Sequence, residues 1–338
     1  MKQTNFFKKY EVRTDLAIDT IPAQSDYLKV IKQDGIIVTV ARIDETNGHK
    51  IGKKPGYYTT IEFSDIADYE NRKKIESIVT KELVKILEEK QISNDAHGLI
   101  IGLGNEKSTP DSLGPLTIEH ILVTNHLAEF GAMEEGFRPI SAFAPGVMGE
   151  TGIETSELIK STIHAIKPDF VIVIDALASS SIDRLNKTIQ MSDAGIHPGS
   201  GVGNNRKEIS SEKLGIPVIA IGIPTVVDAV TLVSDTLVYM EKHFTFHRHF
   251  SKKPMSKLVA SSTIDFRKES FEPNEEDNFQ LLGLVGSLNE EEKKELLFEV
   301  LNPIGYNFIV TPKEIDFLME QLSQLLGNAI NRSLHPNC

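Results

Sequence analysis

The sequence predicts an α/β protein: a three-layer αβα sandwich around a mostly parallel sheet, with a small antiparallel element and C-terminal helices. Two observations lead there. Four short runs are almost wholly apolar and rich in β-branched residues: GLIIGLG (98–104), ISAFAP (140–145), FVIVID (170–175) and IPVIAIGI (216–223). Such runs read as strands buried on both faces. Stretches of helical spacing lie between and after them, at 110–130, 154–166 and 226–243, and strands that alternate with helices build a parallel sheet covered on both sides. In such a sheet, sites form at the carboxyl ends of the strands.

The elements follow in order. Residues up to about 23 are polar and charged with scattered apolar side chains, and read as a mobile arm. GIIVTVARI (35–43) and YYTTIEF (57–63), joined by the turn-rich DETNGHKIGKKPG, suggest the antiparallel element. From 69 to 91 the apolar residues Ile75, Ile78, Val79, Leu83, Ile86 and Leu87 recur at helical spacing. After 243 the alternation gives way to a Lys- and Glu-rich stretch containing SKKPMSK and FEPNEEDN, followed by two helices at 289–301 and 311–334. The expected organisation is an arm (1–15), an N-terminal extension (16–68), the αβα core (69–243), a charged insertion or linker (244–288) and C-terminal helices packed on the core (289–338).

With 338 residues, 40% of them hydrophobic, the chain can bury a large core. Acids outnumber bases 48 to 36 for a net charge of -12. That excess argues against a sequence-independent grip on nucleic-acid phosphates and favours a basic partner. Cys338 is the only cysteine, which excludes an intramolecular disulfide and a cysteine metal cluster and suits a reducing compartment. No run approaches the roughly 18 apolar residues of a membrane span, and the N-terminus lacks the apolar core of a signal peptide. A soluble, cytoplasmic protein is expected.

Two acids carry the chemistry. Asp175 ends the apolar run FVIVID, where a carboxylate is out of place unless a site is built there; it can also cap the following segment, although Ser179, Ser180 and Ser181 lie closer to that start. Asp111 follows the strand-like GLIIGLG in TPDSLGP, where Thr109 can cap a helix, Pro110 can occupy its first position and an acid suits the helix dipole. If the two strands are close, the carboxylates meet across the crevice. Two such groups at hydrogen-bonding distance share a proton, and can activate water while protonating a leaving group.

Other chemistries leave thinner traces. There is no G-x-S-x-G elbow, H-E-x-x-H, dinucleotide loop or P-loop lysine, so no cofactor is expected. The loop GIHPGSGVGNNRKE (195–208) can bind an anion or simply shape a cleft. His197 within it is a metal ligand beside the two acids or a solvated loop residue.

The motifs GLGNEKSTPDSLGP, FRPISAFAPGVMGETGIETSE, DFVIVIDALA, MSDAGIHPGSGVGN and IPVIAIGIPTVVDAV resemble the germination proteases, or spore proteases, of endospore-forming bacteria. The resemblance runs from the arm to the closing helices and is weakest at 244–280. It implies an aspartate-dependent endopeptidase that degrades small acid-soluble spore proteins in the spore core at germination, with Asp111 and Asp175 as its essential acids, no metal and a homotetrameric assembly. It also implies a zymogen whose propeptide arm is removed by autoprocessing between Asp15 and Leu16 in EVRTDLAID. The pattern acid, apolar, Ala recurs at Asp65, Ile66 and Ala67, a stretch expected to be spared because it ends a strand and proteolysis needs an extended backbone. A more distant similarity, GLGN with the acid Asp111 and Gly114 beyond, is to hydrogenase-maturation endopeptidases, which share the αβα fold and grip a metal.

With the resemblance included, three functions stay open. They are a metal-free endopeptidase using Asp111 and Asp175, a metal-assisted peptidase adding His197, and a non-catalytic acidic binder of basic spore proteins. No direct contact with nucleic acid or membrane is expected.

Overall fold

The structure, a computed structural model, describes residues 14–22, 24–197, 207–251, 275–301 and 308–335. They fall into two compact units, a larger one within Arg13–Ser179, Asp183–Val226 and Thr311–Cys338 and a smaller one within Ser180–Ile182 and Val227–Val310.

In chain order the elements are β1 (Leu28–Gln33), β2 (Ile36–Ile43), α1 (Glu45–Ile51), β3 (Gly56–Glu62), α2 (Tyr69–Glu89), β4 (Gly98–Gly102), α3 (Leu113–Glu119), α4 (Asn125–Glu129), β5 (Ile140–Phe143), α5 (Met148–Thr151), α6 (Thr155–Ile166), β6 (Phe170–Ser179), β7 (Thr188–Ser192), α7 (Ser211–Leu214), β8 (Val218–Asp228), α8 (Ala229–Ser251), α9 (Glu275–Leu282), α10 (Glu290–Leu301), β9 (Ile309–Val310) and α11 (Ile315–Leu334). The sheet order is β1-β2-β3-β7-β8-β6-β4-β5, with β9 on the end of β8.

Strand β4 pairs in parallel with β5 on one side and β6 on the other, in the register Gly98↔Phe170 to Gly102↔Ile174. Alternate residues of these strands feed two cores. Ile100, Ile172 and Ile174 pack with α2, α3 and α11, while Leu99, Ile101, Val171 and Val173 pack with Ile159 of α6 and Leu214 of α7. This is the expected three-layer arrangement, and each large apolar side chain so buried contributes roughly 1.5–3 kcal/mol.

The predicted antiparallel element is β2 and β3, but it does not stand apart. Through β7, which the sequence reading does not contain, it continues the central sheet, since β3 pairs antiparallel with β7 and β7 with β8. Its connection holds α1, capped by the Asp44 side chain, where turns are expected.

Other boundaries also move. The helix expected over 110–130 is three pieces: a 3-10 turn at Thr109–Asp111, then α3 and α4. Thr124 breaks the run because its hydroxyl donates to the Arg138 carbonyl and accepts from the Ile140 amide, a tertiary bond a helix cannot offer. Ser108, not Thr109, precedes the 3-10 turn, and it makes no side-chain cap.

In the smaller unit α8 runs on to Ser251, past the expected end at 243, and packs with α9 and α10. The buried Lys293 Nζ pairs with Glu241 at 2.9 Å. Of the predicted charged stretch, residues 252–274 lie outside the described residues.

The arm reading is corrected from Thr14 onward. Leu16 and Ala17 are both 0% exposed, and Ala17 and Ile21 join a third core cluster with Ala41, Ile43 and Tyr58. Residues 1–13 lie outside the described residues.

Candidate functional site

Both predicted acids stand at the carboxyl end of the β4–β6 pair. The last rung of that ladder is the Leu103 amide donating to the Ile174 carbonyl at 2.8 Å. Asp175 comes next on β6, only 5% exposed, with Oδ1 accepting from the Ala176 amide at 3.0 Å. Strand β6 does not end there, as the sequence suggests, but runs on to Ser179, and a carboxylate buried within a strand is costly unless it is served by neighbours.

Asp111 reaches the same edge through a tight return of the chain. The Asn105 amide donates to both the Asp111 carbonyl and its Oδ2, each at 3.0 Å, and the Asp111 amide donates to Ser108 at 2.7 Å. This return depends on glycine. A Cβ on Gly104, whose φ is +120°, would lie 2.0 Å from the Asp111 carbonyl oxygen and 3.3 Å from its Oδ1. A Cβ on Gly114 would lie 2.2 Å from the Leu103 carbonyl oxygen. Backbone therefore packs on backbone, and the Asp111 carboxylate rests on Gly104, two residues past the Gly102–Ile174 rung. Strand β8 steadies the turn, because the Thr225 hydroxyl donates to the Pro110 carbonyl at 2.6 Å.

His197 is placed elsewhere. Its Nε2 lies 3.5 Å from Glu208 Oε2, and Glu208 also pairs with Lys54. Among the described residues no three His, Cys, Asp or Glu side chains converge as a metal-holding group. Residues 198–206 of the predicted anion-binding loop lie outside the described residues.

The segment around the expected processing junction sits on the same strand. Asp15 lies against Ala178, three residues beyond Asp175: its amide donates to the Ala178 carbonyl at 3.0 Å and the Ala178 amide donates to its Oδ2 at 2.9 Å. Lys53 Nζ donates to the carbonyls of Thr14 and Asp15 at 3.0 and 3.1 Å. Gln190 brackets the junction, its Oε1 accepting from the Ala17 amide at 2.6 Å and its Nε2 donating to the Asp15 carbonyl at 3.4 Å. Burial pulls the Lys53 ammonium below the usual lysine range, against the opposing pull of Asp15 and Asp19. Asp19, with its side chain fully buried, binds Arg184 Nη1 at 2.8 Å, and Arg184 Nε reaches Glu62 at 3.2 Å.

Lys53, Gln190, Arg184 and Thr225 are the residues the sequence reading misses. Lys53 sits in a stretch that reads as a turn, and Gln190 on β7, too short and too polar to read as a strand.

Comparison with known proteins settles the family. A family model described as Germination protease matches residues 14–338. The chain belongs to the germination protease family. Its curated relatives include the germination proteases of Bacillus thuringiensis subsp. konkukian (strain 97-27), Bacillus cereus (strain 03BB102) and Bacillus anthracis (strain A0248). Each is 48% identical, over 99% of this chain and 96% of the relative. Among solved structures, a [NiFe] hydrogenase maturation protease, HycI from Thermococcus kodakarensis KOD1, matches 41% of this chain and 80% of its own at 20% identity and a TM-score of 0.26. Family membership makes the protein a peptidase, and among the described residues no helix is long and apolar enough to cross a membrane.

Proposed function

We propose that the protein is a metal-free endopeptidase that degrades small acid-soluble spore proteins during germination, with Asp111 and Asp175 activating the attacking water as a pair. The observation that supports this reading is that Asp175 follows the last rung of the parallel β4–β6 ladder and the Asp111 carboxylate rests on Gly104, just past the same rung. There one carboxylate takes a proton from water as it adds to the scissile carbonyl, and the other, protonated, hands its proton to the departing nitrogen. Each step needs the opposite protonation state of the two groups. The pair therefore works as one unit holding one proton.

The same reading makes the full chain a zymogen, processed by its own activity between Asp15 and Leu16, and the active protein a homotetramer in the spore core. The packing of Asp15 on β6 supports a link between junction and site.

The test is a chain starting at Leu16, mixed with a small acid-soluble spore protein in excess chelator, with the products read by mass spectrometry. Cuts confined to an acid followed by an apolar residue and Ala are expected. No cuts in chelator, with cleavage restored by one added metal, would overturn the metal-free pair. Binding without products under both conditions would make the protein a non-catalytic partner.

A further inference from the structure

Cleavage at Asp15–Leu16 creates a chemical group the intact chain does not have. Hydrolysis consumes one water, leaves a carboxylate on Asp15 and leaves an amine on Leu16 that takes up a proton. A free α-amine titrates near 7.7–8.0, so at neutral pH and beside a carboxylate it is an ammonium.

In the intact chain one hydroxyl connects the Leu16 nitrogen to a buried acid. Thr14 Oγ1 accepts from the Leu16 amide at 3.1 Å and donates to Asp19 Oδ2 at 2.6 Å. Thr14 lies on the departing side of the cut, so cleavage removes this bridge and with it one of the donors to Asp19. The new N-terminal segment stays anchored: Leu16 and Ala17 are fully buried, the Ala17 amide is held by Gln190, and the Thr20 and Ile21 amides fold back onto the Ala17 carbonyl at 3.0 and 3.2 Å. The new ammonium thus starts one hydroxyl, or two hydrogen bonds, away from a carboxylate whose side chain is fully buried.

We infer that Asp19 is a binding site for the protonated α-amine of Leu16, which after processing takes the place of the Thr14 hydroxyl. This rests on the cleavage position proposed above.

The site is built for a cation. Asp19 Oδ1 is committed to Arg184, whose charge is shared with Glu62, while Oδ2 faces the Thr14 and Ser179 hydroxyls. The Thr14 hydroxyl already donates to a carboxylate, and an ammonium in its place adds an opposite charge to that bond. Lys53, the other nearby cation, loses its two carbonyl acceptors and the Asp15 charge with the departing segment.

The consequence reaches the proposed catalytic strand. Ser179 Oγ donates to Asp19 Oδ2 at 3.2 Å and ends β6, four residues after Asp175. Release of Asp15 strips the Ala178 amide and carbonyl of their partners, and the ammonium–Asp19 pair keeps this end of β6 anchored.

The test uses three full-fold chains: one beginning exactly at Leu16, one with a single extra glycine before Leu16, and the Leu16 chain carrying Asp19→Asn. Each is pulsed with an amine-acylating reagent, and acylation of the N-terminal residue is read by mass spectrometry against the same chain unfolded in denaturant. In the Leu16 chain the amine is expected to react about tenfold or more slower than in the unfolded control. Both the glycine extension and Asp19→Asn should remove most of that protection. Equal reactivity of folded and unfolded Leu16 chains, or protection unchanged by the extra glycine, would overturn the inference. Spore-protein cleavage by the same chains is read in parallel. A protected amine on a chain that cuts nothing leaves the Asp19 site standing and fails the protease reading, while an exposed amine on an active chain does the reverse.

Discussion

Asp15–Leu16–Ala17 and Asp65–Ile66–Ala67 share a residue pattern and nearly share a burial, with Leu16 at 0% and Ile66 at 2% exposed, yet they are held in opposite ways. Asp65 is held by its neighbours. Its carboxylate accepts from the Ala67 amide at 2.8 Å and its carbonyl from the Asn71 side chain, in a turn that leads into α2 behind the capping Asp68. Asp15 is held by residues far away in sequence: Ala178, Lys53 and Gln190. Folded packing protects both stretches, so the end-of-strand argument for sparing Asp65 does not separate them. The difference is that one stretch is closed by local bonds, while the other is held on the strand that carries Asp175 by a clamp of bonds to residues far away in sequence.

The largest expected effect tests the proposed role of Asp175 in the proposed processing. Asp175→Asn should leave the arm attached for as long as the wild-type chain takes to process fully many times over, a loss of about a thousandfold or more for a catalytic unit, followed by intact mass over time. Processing at the wild-type rate would detach Asp175 from the junction. Next is the clamp. Proteolysis of a packed segment tracks the population of its open form, and a hydrogen bond to a charged group is worth roughly 1.5–3 kcal/mol. Lys53→Met should therefore speed release of the arm by about tenfold or more, measured by the appearance of the Leu16 terminus; slower release would mean that Lys53 serves the cut itself. The smallest effect belongs to the other stretch. Asp65→Ala removes a local turn bond and should cost roughly 0.5–1.5 kcal/mol in thermal unfolding with no change in processing. A product ending at Asp65 from native protein would break the comparison.

Legibility in the sequence tracks the range of the forces involved. Strands β4, β6 and β8 announce themselves because burial on both faces demands unbroken apolar runs, and Asp111 and Asp175 stand out because they end or follow such runs. The extension of β6 through Ala176–Leu177–Ala178–Ser179 is hidden by its small residues, and β7 by alternation of Thr, Gln and Ser with only two apolar side chains. The ordered segment after Thr14 reads as arm because it continues a charged N-terminal stretch in which apolar side chains are only scattered. Its burial is supplied by bonds spanning up to 175 positions, such as Gln190 to Asp15, which no local pattern records. The clamp residues Lys53, Gln190 and Arg184 are illegible for the same reason. The glycines at 104 and 114 are visible as punctuation, but that they seat the Asp111 turn on β4 is a property of the packed backbone.

The most direct test of the central claim compares Asp111→Asn, Asp175→Asn and the double variant, each in a chain beginning at Leu16, for the rate at which they cleave a small acid-soluble spore protein. If the two acids are one unit, each single variant loses nearly all activity and the double variant loses no more, with circular dichroism unchanged in all three. Single variants with substantial residual rates, whose losses multiply in the double, would show two independent contributors and contradict the shared-proton pair.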